Sequence, residues 1–162
     1  MSETPVLVEL QTKPTLSIRG EISIQDIARS HGERLQRLRE HLKQHQLVPA
    51  GPPFVRYHTF GDGRTDVEVG VPLLHPATGS GDLQAGHLPG GPALVTEHDG
   101  PHRQLGRAYQ RLQQAMQERG LHRDGAAWEV YNWMGLALDS ADRSDVASDS
   151  GHTTLVQPLK QP

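Results

Sequence analysis

Cysteine is absent from the 162-residue chain, and both aromatic side chains and long apolar runs are scarce. The lack of cysteine excludes a disulfide framework, a thiolate nucleophile and cysteine-ligated zinc, and it fits a reducing compartment. No stretch approaches the ~18 apolar residues of a membrane-spanning helix, and the first residues lack the basic and apolar regions of a signal peptide. The sequence therefore predicts a cytoplasmic protein without membrane contact.

The chain also lacks an excess of positive charge. It has 16 lysines and arginines against 19 aspartates and glutamates, which gives a formal net charge of −3. Neutralisation of phosphates by basic side chains supplies most non-specific nucleic-acid affinity. We therefore expect no direct binding of nucleic acid.

What the sequence does contain is a twofold succession of strand-like and helix-like patterns. Apolar residues return at three- to four-residue spacing between Ile24 and Gln46, and again between Leu105 and Met116, as amphipathic helices require. Short runs rich in β-branched and apolar residues surround each helix. The predicted strands comprise residues 6–10, 15–19, 54–60, 65–73, 83–88, 92–97, 126–134 and 153–159.

An internal repeat relates the two halves. Shifting residues 29–57 by 74 positions gives eight identities in 29, among them Gly51 with Gly125 and Tyr57 with Tyr131. The sequence predicts a single α+β domain over 1–162, with repeat one at about 5–74, repeat two at about 83–160 and a polar loop at 139–150. Two pseudo-symmetric strand-helix-strand-strand repeats would form a continuous antiparallel sheet, with both helices on one face and a ligand cleft on the other.

The segment from Trp128 to Trp133 holds the side chains best suited to a site. Successive strand residues alternate, so Glu129, Tyr131 and Trp133 share one face; if Trp128 and its face pack on a helix, these three side chains line the cleft. A carboxylate between aromatic rings suits an organic cation, which gains roughly 0.5–2 kcal/mol from each cation–π contact. The alternative is an exposed Glu129 paired with an arginine across the sheet.

The equivalent strand of repeat one adds two candidates. Tyr57 matches Tyr131 in the repeat, and Glu68 lies out of phase with Val67 and Val69 on the next strand, which places it on the predicted cleft face. Tyr57 would be a further aromatic wall and Glu68 a second acid. Val55 occupies the position of Glu129, so we expect the cleft to be acidic on one side only.

Neither the ten histidines nor the glycine-rich turns form a recognisable metal-binding or cofactor-binding motif, so we expect no metal site and no cofactor. His41 and His45 have helical i, i+4 spacing, but the segment lacks the glutamate of the zinc-protease motif and a third ligand. No Gly-x-Ser-x-Gly sequence marks a serine hydrolase.

The chain resembles the GyrI-like small-molecule-binding domain, the effector-binding module of multidrug-responsive transcription regulators and of gyrase-inhibitory proteins. The resemblance is carried by Phe54-Val-Arg-Tyr57, Asp66-Val-Glu-Val-Gly-Val-Pro72, Leu88-Pro-Gly-Gly91, His98-Asp-Gly-Pro101, Trp128-Glu-Val-Tyr131 and Val156-Gln-Pro-Leu-Lys160. It implies that Glu129 lies in an aromatic-lined cleft and contacts lipophilic cations. Regulators of the family carry an N-terminal helix-turn-helix domain, whereas this chain begins five residues before its first predicted strand, so we expect a stand-alone form.

Three functions follow as hypotheses. The first is a binding protein for hydrophobic, often cationic, aromatic small molecules, with Glu129 as charge partner and Tyr131, Trp133 and Tyr57 as stacking walls, and with Glu68 as a second acid. The second is a hydrolase of cyclopropane-containing or other electrophilic natural products, in which Glu129 and Tyr131 would be catalytic. The third is a gyrase-interacting protein, for which the overall charge offers no evident complementary surface.

Overall fold

The computed structural model describes residues 4–101, 104–132 and 152–161. Within them lie eight strands, two α-helices and a 3-10 turn at Ile24–Asp26. The strands are β1 (Val6–Leu10), β2 (Lys13–Ser23), β3 (Phe54–Gly61), β4 (Arg64–Pro72), β5 (Leu83–Leu88), β6 (Gly91–Asp99), β7 (Trp128–Tyr131) and β8 (His152–Pro158), and the helices are α1 (Ile27–Gln44) and α2 (Gly106–Arg119).

All strands form one antiparallel sheet in the order β1-β6-β8-β7-β3-β4-β2-β5. The two sides of the sheet correspond when each is read outward from the centre. The strands β3, β4 and β2 on one side match β7, β8 and β6 on the other. The α+β class predicted from the sequence is confirmed. The predicted polar loop 139–150 and Trp133 lie outside the described residues.

The sheet has a pseudo-twofold axis at its centre. Val55 of β3 pairs directly with Glu129 of β7, and these two residues are also related by the repeat shift of 74. The same shift relates Gln46 and Gly120, which follow the two helices in a left-handed backbone conformation with φ of 54° and 66°. An axis through the β3–β7 pair therefore relates the two halves.

The outermost strands tie the halves together. The N-terminal strand β1 pairs with β6 of the second half, while β5 pairs with β2 of the first half. Each half is thus extended by a strand from the other side of the chain. This exchange means that neither half completes its sheet alone.

Both helices cover the same face of the sheet. The apolar stripe of α1, which contains Leu35, Leu38 and Leu42, packs on side chains of β2, β3 and β4. The stripe of α2 packs on Leu94 and Leu155 of β6 and β8. These apolar residues recur every three or four positions, so they lie on one side of each helix, and that side faces the sheet.

The side of the sheet that carries Glu129 differs from the prediction. A cross-strand row on the helix-bearing face contains Val55, Glu129 and Leu155, so Glu129 lies between the cores under α1 and α2. Trp128 and Phe54 lie on the opposite face, in an apolar cluster made by strand residues alone. Glu129 therefore does not lie on the face predicted for it, because Trp128 packs against strands rather than against a helix.

An irregularity in β3 changes the alternation of its side chains. The pairing with β4 shifts between Tyr57 and Thr59, which leaves His58 as an extra residue. After such a bulge the next residues change face, so Phe60 lies on the same face as Tyr57 although three positions separate them. The rings of Tyr57 and Phe60 make an edge-to-face contact with centroids 5.6 Å apart.

No α-helix in the described ranges is long and apolar enough to cross a membrane.

The close packing of the opposite face gives a stability prediction at Gly70. A Cβ atom there would lie 2.7 Å from the ring of Phe54 and 2.7 Å from Cβ of Ser17, both of which are buried. We expect Gly70→Ala to lower the free energy of unfolding by about 1–3 kcal/mol, because overpacking forces neighbouring groups apart. Chemical denaturation measures this change.

The matched control is Gly32→Ala in α1, where an added Cβ meets nothing within 4 Å. This variant should gain about 0.5–1 kcal/mol, because glycine is a poor helix former. Equal effects of the two substitutions would contradict the packing described for Gly70.

Candidate functional site

The centre of the site is the carboxylate of Glu129, which is only 4% exposed. Strand pairing fixes it between Val55 and Leu155, below the gap that separates α1 from α2. A charged group at such a position requires hydrogen-bond partners, because desolvation of an ionised carboxylate is costly.

Two tyrosines supply hydrogen bonds to Glu129. The Tyr109 hydroxyl of α2 donates to Oε2 over 2.6 Å, and the Tyr131 hydroxyl of β7 donates to Oε1 over 2.8 Å. Hydrogen bonds to an ionised acceptor are shorter and stronger than those between neutral groups. Each carboxylate oxygen is thereby fixed by a phenol from a different element.

A third tyrosine, Tyr57, borders the same region from β3. Its hydroxyl lies 3.1 Å from Nε2 of His31 in α1. Tyr57 is thus held between α1 and Phe60, with its ring edge-to-face against the Phe60 ring.

Burial raises the pKa of all three phenols above the ordinary value of 10.0, and the negative charge of Glu129 raises each pKa further. The phenols therefore remain protonated and able to donate at neutral pH.

Two neighbouring cavities, which we call lobes, open beside these groups. The first, which we call the carboxylate lobe, measures about 430 Å³ and is lined by Ile27, Tyr57, Phe60, Leu105, Gly106, Tyr109 and Glu129. The second, which we call the arginine lobe, measures about 500 Å³ and extends along α2 to Gln113, Arg123 and Gln157. Tyr57, Phe60 and Tyr109 line both lobes. Both volumes lie in the range of small-molecule sites, about 300–1,000 Å³.

The structure brings together only part of the predicted set of site residues. Glu129, Tyr131 and Tyr57 lie on one face around the cavity, although Tyr131 is buried behind Glu129 and lines neither lobe. Glu68 lies on the opposite face, where it accepts a hydrogen bond from Ser17 and lies 2.8 Å from Nε2 of His58. Glu68 does not approach Glu129, because it alternates along β4 with Val67 and Val69, whose side chains face the helices.

Sequence reasoning missed Tyr109, which was assigned only to the second helix. The repeat contained a signal for it, since a shift of 74 relates Tyr109 to Leu35, a buried residue of α1. A tyrosine at a core position needs a partner for its hydroxyl, and Glu129 provides one.

No group of three or more His, Cys, Asp or Glu side chains that could hold a metal ion occurs within 4–101, 104–132 and 152–161.

A sheet of two related halves, whose helices enclose a cavity with an acidic floor and aromatic walls, is the architecture of a ligand-binding domain. Residues 3–132 match the model of the GyrI-like small molecule binding domain, and the chain belongs to this family. The family resemblance predicted from the sequence motifs is thus confirmed. No curated protein matches the chain by sequence.

Several solved structures share the fold. In the DNA complex of EcmrR the TM-score is 0.77 at 19% identity, with 98% of this chain and 57% of the EcmrR chain covered. The EcmrR C-terminal domain gives 0.71 at 18% identity, with 98% of each chain covered. The chain is therefore similar in extent to the C-terminal domain and spans just over half of the whole regulator.

Two other relatives differ in their described roles. A hydrolase from Listeria innocua gives a TM-score of 0.67 at 11% identity, with 98% of this chain and 93% of that chain covered. SAV2435 bound to tetraphenylphosphonium gives 0.63 at 14% identity, with 96% and 93% covered. At these identities the likeness shows the fold alone.

The raised pKa values of the phenols give a prediction about alkaline pH. The chain has only three tyrosines, and all three belong to this site, so tyrosinate absorbance reports on it alone. In the folded state each phenol keeps its proton above pH 10.0, whereas the unfolded chain loses its phenolic protons around that pH. Stability is therefore unaffected by these groups below pH 10.0 and falls as pH rises above it.

We expect tyrosinate absorbance to appear together with loss of the far-ultraviolet circular dichroism signal, in a single step above pH 10.0. A phenol that titrates near pH 10.0 while the protein stays folded would contradict the burial of these hydroxyls.

Proposed function

We propose that the protein binds hydrophobic, cationic aromatic small molecules in the cavity between its two halves, with Glu129 as the charge partner. The observation that carries the proposal is a buried carboxylate at the floor of an aromatic-lined lobe. The proposal keeps the cytoplasmic location expected from the sequence.

The electrostatics of the carboxylate lobe favour a cation. The hydrogen bonds from Tyr109 and Tyr131 hold the carboxylate in place, but both donors are neutral and leave its negative charge intact. Beside a carboxylate that is only 4% exposed, a charge pair interacts more strongly than in bulk solvent, because the effective dielectric constant is lower there. A ligand cation over Glu129 therefore gains more from the pair here than at an exposed site.

The walls of the lobe favour a flat or aromatic ligand. Tyr57, Phe60 and Tyr109 present rings to the cavity, and Phe60 is 61% exposed at its mouth. A cation over such a ring gains roughly 0.5–2 kcal/mol. An apolar ligand would also cover the exposed Phe60 ring, which contributes through burial of apolar surface.

The relative SAV2435 supports the proposed ligand class. Its structure contains tetraphenylphosphonium, which is a lipophilic aromatic cation. A fold of the same kind can thus accommodate a ligand with the charge and the aromatic surface that the carboxylate lobe suits.

The test is calorimetric titration of tetraphenylphosphonium into the wild-type protein and into Glu129→Gln. Glutamine keeps the size of the side chain and can still accept a phenol hydrogen bond, but it removes the charge. We expect the affinity to fall by roughly 30-fold or more, about 2 kcal/mol, because the ligand cation loses its buried partner.

Glu68→Gln is the matched control, since it removes the same charge from the opposite face of the sheet. It should leave the affinity within about twofold of the wild type, as expected for distant charges in salt. Unchanged binding by Glu129→Gln, or an equal loss in both variants, would contradict the role of Glu129.

A second candidate is hydrolysis of an electrophilic cyclopropane by the same groups. The arrangement that favours it is a carboxylate within hydrogen-bond distance of a phenol, as in Glu129 and Tyr131, and a relative of the same fold is a hydrolase. Glu129 would take a proton from water as the water oxygen bonds to a ring carbon; the breaking carbon–carbon bond would send its electron pair to a conjugated carbonyl oxygen, which a phenol protonates.

We rank this candidate second because the hydroxyls of Tyr109 and Tyr131 are both directed at Glu129 rather than at the lobe. The distinguishing measurement is product formation from a cyclopropane-containing natural product. Turnover that is abolished in Glu129→Gln and reduced in Tyr131→Phe would establish an enzyme, whereas binding without product would exclude this reaction.

A further inference from the structure

The arginine lobe differs in chemistry from the carboxylate lobe, although the two share Tyr57, Phe60 and Tyr109 as lining residues. The carboxylate lobe has one acid and otherwise apolar or aromatic walls. The arginine lobe is bordered by polar groups, among them Thr59, Gln113, Arg123 and Gln157. A ligand that crosses the shared aromatic residues therefore meets an acidic region at one end and a polar, basic region at the other.

Hydrogen-bond acceptors of the arginine lobe are already used within the protein. The carbonyl of Gly125 accepts from Nε2 of Gln157, and the carbonyl of Ala126 accepts from Nε of Arg56. The carbonyl of Thr59 accepts from the hydroxyl of Thr65. Each of these three carbonyls therefore has one of its two lone pairs already engaged within the protein.

Donors, in contrast, remain available. In the part of the chain that the structure describes, the guanidinium of Arg123 and the amide of Gln113 make no hydrogen bond or ion pair. Arg123 is fixed at its backbone by an antiparallel bridge to Leu159. A guanidinium has five N–H donors and no acceptor, and it matches the geometry of a carboxylate.

We propose that Arg123 and Gln113 form a second subsite, which takes an anionic substituent of the ligand. The preferred ligands are then dipolar: an aromatic cation over Glu129 with an anionic group on the side of Arg123. The cationic half of this statement rests on the proposed function, whereas the anionic half rests on the arginine lobe alone.

The dimensions of α2 set the length of such a ligand. Gly106 lines the carboxylate lobe and Gln113 the arginine lobe, and seven residues of helix rise by about 10 Å. That distance corresponds to a molecule of two or three fused or linked rings. Opposite charges at the two ends of the groove also fix the direction in which the ligand lies.

The test compares two dyes that differ by one charge. Rhodamine B is a zwitterion with a free benzoate, and rhodamine B ethyl ester is a monocation with the same ring system. We expect the wild-type protein to bind rhodamine B roughly two- to fivefold more tightly than its ester, the range of an exposed ion pair. Fluorescence anisotropy measures both affinities.

Arg123→Gln should bring the ratio of the two affinities to about one and leave the binding of the ester unchanged. Arg107→Gln is the matched control, since Arg107 is an exposed arginine of α2 that lines neither lobe. It should preserve the ratio. Equal affinities in the wild type, an equal loss of both dyes in Arg123→Gln, or the same effect in Arg107→Gln would overturn the subsite.

Glu129→Gln separates this proposal from the one on which it partly rests. It should weaken both dyes by a similar factor and keep their ratio. If it weakens neither dye, the cation site fails, and an Arg123-dependent ratio still supports the subsite.

If neither dye binds, the subsite is tested with naphthoate, an aromatic anion that carries no positive charge. Its NMR shift perturbations should be lost in Arg123→Gln, and absence of naphthoate binding to the wild type would overturn the subsite.

Discussion

The buried carboxylate of Glu129 is the constraint around which the domain is arranged. Its two oxygens accept hydrogen bonds from Tyr109 and Tyr131, so a strand and a helix of the second half are joined through one acid. Without these donors a carboxylate at 4% exposure would be strongly destabilising. The acid at the floor of the aromatic cavity is satisfied by two phenols, of which Tyr109 also lines the cavity.

The position of this acid follows from the symmetry of the sheet. Val55 and Glu129 are repeat-related residues that pair with each other, so the pseudo-twofold axis passes between them. A symmetric site would present two equal groups at this point, whereas here one side is apolar and the other charged. A similar asymmetry relates Leu35 to Tyr109. The two sides of the axis therefore differ chemically, although the backbone of the two halves is related by symmetry.

The sequence was sufficient for the element order and for part of the site. Strand alternation correctly grouped Glu129 with Tyr131, and helical spacing correctly located both helices, because these patterns are local. The face of the sheet was not predictable from alternation, since Trp128 is as apolar as a helix-covered residue but packs on strands. The bulge at His58 has no strong local signature, and the contact of Tyr109 with Glu129 depends on how α2 docks. Long-range packing, rather than local preference, decides these features.

The dependence of affinity on ligand charge tests the role assigned to Glu129 most directly. Tetraphenylphosphonium and tetraphenylborate have nearly the same shape and apolar surface but opposite charge, so calorimetric titration of both into the wild-type protein isolates the electrostatic contribution. The account predicts that the phosphonium binds at least tenfold more tightly, a difference of about 1.4 kcal/mol or more. Equal affinities, or tighter binding of the borate, would contradict a cavity organised around the carboxylate of Glu129.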